Sequence, residues 1–201
     1  MRQGLILDQA AEIVARDGVA TLSMELIGKQ CGISKSLVYN YFPSLTVLLQ
    51  TLLLRELRRL RRQQADAAEQ ATTFEGMVRA VTHVYLRYID ERGLLIERLQ
   101  SEPSVSAIHD PTEFGREAAV DYLTEIVVRH FDLPQDIARA ATDISFGLPA
   151  SAGAYLLRHT MSREAMEDLT VTMIMGSITH LKAEYIARRQ ALHPERTGSA
   201  T

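Results

Sequence analysis

Apolar residues recur at helical spacing along nearly the whole chain, and this periodicity limits the fold more than any other feature. Leu5, Ile6, Ala10, Ile13 and Val14 follow the i, i+3, i+4, i+7 pattern of an amphipathic helix, which Gly18 is expected to end. No segment alternates apolar and polar residues convincingly as a strand does, and no long internal repeat is visible. The sequence therefore predicts an all-α fold.

Capping residues divide the chain into helices. Ser23 is a good N-cap for "MELIGKQC", Gly32 is a good stop, and Ser34 then caps a second short helix, "KSLVYNYF". A long helix follows, with Pro43 in its first turn. The remaining pattern predicts breaks at Gly93, at "SEPSVSAIHDP" and at "DLP", with helices at about 44–69, 74–91, 93–101, 111–131, 135–158 and 163–190.

The charge is unevenly distributed. Residues 1–62 contain nine Lys and Arg against five Asp and Glu, whereas the remainder contains 13 against 20, within a total of -3 over 201 residues. A basic front part on an acidic body indicates that the front meets an anionic partner.

The cysteine content and the hydrophobic segments of the chain indicate where the protein is located. The single cysteine, Cys31, excludes an intrachain disulfide and fits a reducing cytoplasm. The longest uncharged apolar stretch has 14 residues, between Asp143 and Arg158, and is shorter than the roughly 20 that span a bilayer. The start of the chain is interrupted by charges and does not read as a signal peptide. We therefore expect a cytoplasmic protein with no membrane partner.

The stretch "ISKSLVYNYF" fits the second helix of a helix-turn-helix, joined to the first by "CGIS". Such a helix enters the DNA major groove with its N-terminal residues facing the bases. Lys35 can donate to guanine acceptors, Ser36 can bond several base edges, and the hydroxyls of Tyr39 and Tyr41 can reach phosphates. Phe42 is expected to turn inward. From spacing alone, a plain helical hairpin inside a core remains the alternative.

The run "LSMELIGKQCGISKSLVYNYFPSLTVLL", after "AAEIVARDG", resembles the DNA-binding region of the TetR/AcrR family of bacterial transcriptional regulators over residues 5–50. The resemblance implies a helix-turn-helix DNA-binding domain of three helices at 1–45 and a helical ligand-binding and dimerisation domain at 46–192. The polar end, 193–201, is predicted to be a disordered tail. By that resemblance the DNA contacts are Ser23, Ser34, Lys35, Ser36, Leu37, Tyr39, Asn40 and Tyr41, with Lys35, Ser36 and Leu37 facing bases and Ser23, Tyr39 and Tyr41 reaching phosphates.

The chain departs from the family pattern at four places. Leu45 replaces the usual basic residue at the start of the connecting helix, and Ser36 replaces a glycine. The usual Ile-Ala pair is Ile27-Gly28, and only Arg2 represents the basic arm that many relatives have. Fewer phosphate contacts predict weaker DNA binding with a shallower dependence on salt.

Catalytic and metal-binding patterns are missing from the sequence. "GLPASAGAY" imitates a nucleophile elbow around Ser151, but Pro149 takes the place of the first glycine and no strand precedes it. The histidines lack metal-site spacing, and no glycine-rich phosphate loop is present. We therefore expect no enzyme activity, no cofactor and no metal.

The small residues of "GLPASAGAY" form a smooth stripe that lets another helix approach closely. With the last helix it can build a four-helix seam, the way in which the family forms a homodimer. A two-fold dimer also suits a pseudo-palindromic operator in double-stranded DNA. The interface candidates are Gly147, Ala150, Ala154, Met166, Gly176, Ser177 and His180.

The resemblance also implies a small-molecule effector that binds in the C-terminal bundle and changes the arrangement of the DNA-reading helices. The supply of apolar and aromatic groups predicts a largely apolar effector. The candidate residues are Tyr85, Tyr88, Phe114, Tyr122, Asp143, Phe146 and Met173, with Asp143 as the polar contact. Ordinary core packing is the alternative for each of them.

Two functions follow from the sequence. One is a ligand-responsive, DNA-binding transcriptional regulator that acts as a repressor. The other is an all-helical small-molecule binding protein with weak or lost DNA binding. Leu45 is consistent with this second function, because it replaces the basic residue that the family usually has at the start of the connecting helix.

Overall fold

The computed structural model describes residues 2–106 and 111–192, and the side chains of residues 2–105 and 116–188. These residues form helices without any strand, which confirms the all-α class. The helices are α1 (Arg2–Asp17), α2 (Met24–Cys31), α3 (Lys35–Tyr41), α4 (Leu45–Glu69), α5 (Phe74–Gln100), α6 (Pro103–Ser106), α7 (Pro111–Phe131), α8 (Gln135–Ser145), α9 (Gly147–Leu156) and α10 (Arg163–Leu192), with a 3-10 turn at Val19–Thr21.

The chain divides into two compact units. The N-terminal unit contains Met1–Asp66 and Arg87–Gly115, and the C-terminal unit contains Ala67–Leu86 and Arg116–Thr201. Helices α4, α5 and α7 therefore each contribute residues to both units. The functional domain boundaries placed at residues 45 and 192 stay a prediction.

The core of the N-terminal unit holds the helix-turn-helix in place. Ile6, Ile27, Val38 and Leu48, from α1, α2, α3 and α4, are fully buried in one cluster. Leu99 of α5 is fully buried in the same cluster. Burying side chains of this size stabilises the fold by roughly 1.5–3 kcal/mol each. The short helices α2 and α3 thus owe their stability to packing on longer neighbours rather than to their own length.

The C-terminal unit has its own apolar clusters. Phe74 packs edge-on against Phe131, with ring centroids 5.1 Å apart, and lies in a cluster with buried Val127 and Ile174. A smaller cluster joins Leu86 of α5 to Ala152 of α9 and Met166 of α10. Helix α9 packs against both α8 and α10.

The predicted helix boundaries at Gly93 and within residues 135–158 are wrong. Helix α5 continues through Gly93, which is buried, because the flanking apolar residues pack into a core and outweigh the cost of about 1 kcal/mol for a helical glycine. The single helix expected over 135–158 is two helices that meet at Phe146. Pro149 explains the break, since a proline removes a hydrogen bond to the fourth preceding carbonyl, here that of Ser145, and its ring clashes with it.

No single helix in the described part of the chain is long and apolar enough to cross a membrane. Helices α3 and α4 pass that test only as a pair, by length and composition, with a bend of 57° between them.

Candidate nucleic-acid interface

Serine caps define where both helices of the helix-turn-helix begin. The backbone N–H of Leu26 donates to Ser23 Oγ over 3.1 Å, and the N–H of Leu37 donates to Ser34 Oγ over 3.2 Å. Both serines have extended backbone conformations, as N-caps do. The predicted starts of α2 and α3 are therefore confirmed, which fixes the register of every side chain that follows them.

The turn between α2 and α3 depends on two glycines. Gly32 ends α2 with a φ of 66°, in the left-handed region that glycine adopts without strain. At Gly28 the chain approaches itself closely: the N–H of Ile33 donates to Gly28 O over 2.9 Å, and a Cβ at position 28 would lie 2.9 Å from Ile33 O. Gly28, which stands where the family pattern has alanine, therefore lies in a tight turn that leaves little room for a Cβ.

Helix α3 has one anchored side and one exposed side. Val38 and Phe42 are buried, so Phe42 turns inward as predicted. The predicted DNA contacts lie outside this core: Ser23, Ser34, Lys35, Ser36 and Asn40 are exposed, Leu37 is half-buried, and Tyr39 and Tyr41 are 44% and 37% exposed. The exposed side offers hydroxyls, an amide and an ammonium group, which are the donors and acceptors that base edges and phosphates bind.

An acidic residue that sequence reasoning missed stands beside Lys35. Its ammonium Nζ lies 3.8 Å from Glu25 Oε2 in the first turn of α2. Both side chains are largely exposed, at 55% for Lys35 and 79% for Glu25. The two residues lie ten positions apart in sequence, on different helices of the motif, so only the packing of α2 against α3 brings them together.

The start of α4 presents no cation. Leu45 is half-buried against the core of the N-terminal unit, and the N–H of Val47 donates to Ser44 Oγ over 3.1 Å. Ser44 is therefore the N-cap, and Pro43 precedes the helix rather than lying in its first turn. The consequence predicted for Leu45, one fewer phosphate contact, stays a prediction.

Arginine side chains from α4 and α5 brace the first helix. Arg98 Nη1 donates to the carbonyl oxygens of Val14 and Ala15 over 2.8 and 2.7 Å, in the last turn of α1. Arg55 Nη1 donates to Asp8 Oδ1 over 2.7 Å. These contacts fix α1, which packs against α2 and so supports the surface described above.

A buried polar network lies next to these arginine contacts, and the sequence analysis did not predict it. Glu56 is fully buried, and Tyr88 donates its hydroxyl proton to Glu56 Oε2 over 2.7 Å. Arg55 Nη2 donates to the other oxygen, Glu56 Oε1, over 3.0 Å. Burial first, and then the hydrogen bond to Glu56, raises the pKa of Tyr88 far above its ordinary value.

The residues proposed for effector binding are scattered. Tyr88 belongs to the N-terminal unit, and the side chain of Phe114 lies outside the described residues. Tyr122 and Met173 are 52% and 49% exposed. Tyr85 packs against the cluster of Leu86 and Met166, and its burial raises its pKa. Their assignment to an effector site stays a prediction.

Among the members of this set whose side chains the structure describes, Asp143 and Phe146 share a partner, Arg116. Arg116 Nη2 lies 2.9 Å from Asp143 Oδ1, and the Arg116 guanidinium carbon lies 5.9 Å from the centre of the Phe146 ring. Arg139, four residues before Asp143 on α8, pairs with Asp121 instead.

A buried hydroxyl in α8 has unused hydrogen-bonding capacity. Thr142 is 5% exposed, and its Oγ1 has no hydrogen-bond partner among the described residues. Unsatisfied buried polar atoms are uncommon in folded proteins, and each calls for an explanation such as a bound water or ligand. The sequence carried no signal for it, because the burial of a threonine depends on tertiary packing.

The residues predicted for a dimer interface lie on α9 and α10. Gly147, Ala150 and Ala154 are exposed on α9, and Gly176, Ser177 and His180 are exposed on α10. A Cβ at Gly147 or Gly176 would meet no atom within 4 Å. Met166 is different: it is 4% exposed within its own core cluster and does not belong to this exposed set.

Comparison with known proteins confirms the family resemblance. Residues 6–52 match the family model described as bacterial regulatory proteins, tetR family. The chain is 27% identical to the HTH-type transcriptional regulator UidR of Escherichia coli strain K12, over 51% of this chain and 54% of that protein. The chain thus spans about half the length of that relative.

Two further likenesses cover most of the chain. The HTH-type transcriptional activator FasR of Mycolicibacterium smegmatis is 24% identical over 90% of this chain and 84% of that protein. The crystal structure of a tetR-family transcriptional regulator from Streptomyces coelicolor superimposes with a TM-score of 0.72, at 21% identity, covering 95% of this chain and 86% of that one. At this identity the structural likeness shows that the fold is shared.

Proposed function

We propose that the chain is a DNA-binding transcriptional regulator of TetR type that binds a pseudo-palindromic operator as a homodimer. The observation that carries the proposal is the exposed side of α3: its polar residues face outward while Val38 and Phe42 hold the helix in the core. The match of residues 6–52 to the family supports it. Lys35, Ser36 and Leu37 then face bases, and Ser23, Tyr39 and Tyr41 contact phosphates.

In this proposal the protein acts as a repressor that a small, largely apolar effector releases from DNA. The effector binds the C-terminal unit and favours a conformation with lower operator affinity, with a coupling of about 1–3 kcal/mol. The orphaned hydroxyl of Thr142 supports a polar contact to such a ligand. FasR is named as an activator, so the direction of regulation has to be measured for this chain.

The test is fluorescence anisotropy with the DNA immediately upstream of the coding sequence, against random duplex at two salt concentrations. The proposal predicts tight binding to the upstream DNA that survives moderate salt. Tyr39→Phe should weaken binding to every duplex alike, because phosphates carry no sequence information, whereas Lys35→Ala should change the sequence preference.

Matched controls make the result specific to α3. Tyr155→Phe removes an exposed tyrosine hydroxyl in the C-terminal unit, and Lys182→Ala removes a lysine there. Both should bind DNA as the wild type does. If Lys35→Ala left the preference intact, the placement of the reading helix would be wrong.

The alternative is an all-helical small-molecule binding protein with weak or lost DNA binding, and Leu45 at the start of α4 favours it. The same experiment separates the two functions, since this alternative predicts equal, salt-sensitive binding to both duplexes or no binding at all.

A further inference from the structure

Glu25 is an acidic residue on a surface that has to approach polyanionic DNA. It is the only acidic residue within α2 and α3, and it lies two residues after the Ser23 cap. A carboxylate near phosphates is repelled, so its position on this surface calls for a compensating interaction.

The contact with Lys35 compensates only part of that cost. The distance of 3.8 Å between Lys35 Nζ and Glu25 Oε2 is longer than a hydrogen bond, and 79% of the Glu25 side chain remains exposed. In the described part of the chain this is the only ion pair of Glu25. The carboxylate oxygens therefore keep acceptor capacity for a donor outside the protein.

The fold fixes the backbone position of Glu25 on this surface. Met24 and Ile27, on either side of it in α2, are buried, and the cap at Ser23 fixes the start of the helix. Lys35 is fixed in the same way by the cap at Ser34 and by buried Val38. The separation of the two charged groups is close to the spacing of about 3.4 Å between successive base pairs, so together they can address one base pair or two adjacent ones.

The donor that DNA offers to a carboxylate in the major groove is the amino group of a base. Cytosine presents only its N4 amino group there, and acidic side chains accept from it, whereas lysine donates to O6 and N7 of guanine. A neighbouring acid and base on one surface thus match the two bases of a G·C pair or a C-G step.

We propose that Glu25 is a specificity-determining residue that accepts a hydrogen bond from the N4 amino group of cytosine while Lys35 donates to guanine. The proposal rests on the proposed function as a DNA-binding regulator. It adds a base-contacting residue on α2 to the contacts assigned to α3. The carboxylate disfavours thymine and guanine, which present acceptors in the major groove, and it disfavours adenine because the N7 acceptor of adenine lies beside its N6 donor.

The test is selection from a library of randomised DNA duplexes, followed by sequencing of the bound fraction, with the full chain. The wild type should enrich duplexes with cytosine at one defined position of each half-site. Glu25→Gln should lower that cytosine preference about tenfold, the effect of one mismatched base pair, and gain adenine, the base that glutamine binds. Glu25→Ala should lose the cytosine preference without gaining adenine.

Glu12→Gln is the matched control, because it removes one exposed carboxylate from the same unit at a site on α1. It reports the general electrostatic effect of losing a negative charge and should leave every base preference unchanged. Circular dichroism and thermal midpoints of the Glu25 variants should equal those of the wild type, since the side chain is exposed.

Three results would overturn the inference in distinguishable ways. If Glu25→Gln kept the wild-type preference at every position, Glu25 would read no base. If its only change fell at the guanine position that Lys35→Ala also alters, Glu25 would act through Lys35 alone. If the wild type enriched no sequence at all, the proposed function would fail, and the inference with it.

Discussion

Glu56 is fully buried, yet it occupies a helical position among arginines that reads as a solvated face. Its burial is possible because Arg55 and Tyr88 both donate to its carboxylate. Phe42 was predictable because its burial follows from one helix, whereas Glu56 needs the hydroxyl of Tyr88, 32 residues away.

Tyr88→Phe should lower the free energy of unfolding by about 1.5–3 kcal/mol, the range for a hydrogen bond to a charged group. The raised pKa of Tyr88 adds a pH dependence. Because the pKa in the folded state exceeds that of unfolded tyrosine, this stabilisation is complete below about pH 10 and decreases as the pH rises above it.

Urea unfolding between pH 8 and pH 11 measures both effects. At the alkaline end of this range the variant should release about one proton fewer on unfolding than the wild type does, because it lacks the Tyr88 hydroxyl. Tyr122→Phe, which removes an exposed hydroxyl, is the control and should unfold as the wild type does. A Tyr88→Phe protein as stable as wild type at neutral pH would contradict the described network.

Thr142→Val should raise the free energy of unfolding by about 1 kcal/mol, because it replaces a buried hydroxyl without a partner by a methyl group of similar size. Thr124→Val is the matched control: Thr124 is also buried, but its Oγ1 donates to Val120 O over 2.6 Å. Thermal unfolding of both variants checks this, and a Thr142 variant that is destabilised as much as the Thr124 variant would show that the hydroxyl is satisfied.

At the scale of single helices, the sequence predicted capped ends better than breaks within long apolar runs. Ser23 and Ser34 were recognised because capping is local chemistry that three or four residues decide. Gly93 was misread as a break because its effect depends on tertiary packing around α5, which no local pattern reveals. A proline inside a helical pattern predicts a kink or a break, and the sequence around Pro149 does not tell a kinked helix from the two helices α8 and α9.

The cap of α3 gives a test at this scale. Ser34→Ala should lower the free energy of unfolding by about 1 kcal/mol, because the N–H of Leu37 loses its acceptor. Ser36→Ala, two residues later on the exposed side, should leave stability unchanged or slightly higher, since alanine is the better helix former. Chemical denaturation compares the two, and equal losses would mean that the start of α3 is misplaced.

For the whole molecule, the proposed homodimer places the exposed small residues of α9 and α10 against a second copy. Ala150→Arg should separate the protomers, because a long charged side chain replaces a small one in the seam. Ala140→Arg introduces the same change at an exposed position of α8 and serves as the control. Analytical ultracentrifugation should find dimers for the control and monomers for Ala150→Arg, and dimers in both would exclude this seam.

The affinity ratio between a duplex enriched by selection and a shuffled duplex of the same composition tests the central claim most directly. Measured by anisotropy with wild-type protein at physiological salt, it should be at least about a thousand, with two protomers bound per duplex. Equal affinities for the two duplexes, lost together as the salt concentration rises, would contradict sequence-specific recognition by α2 and α3.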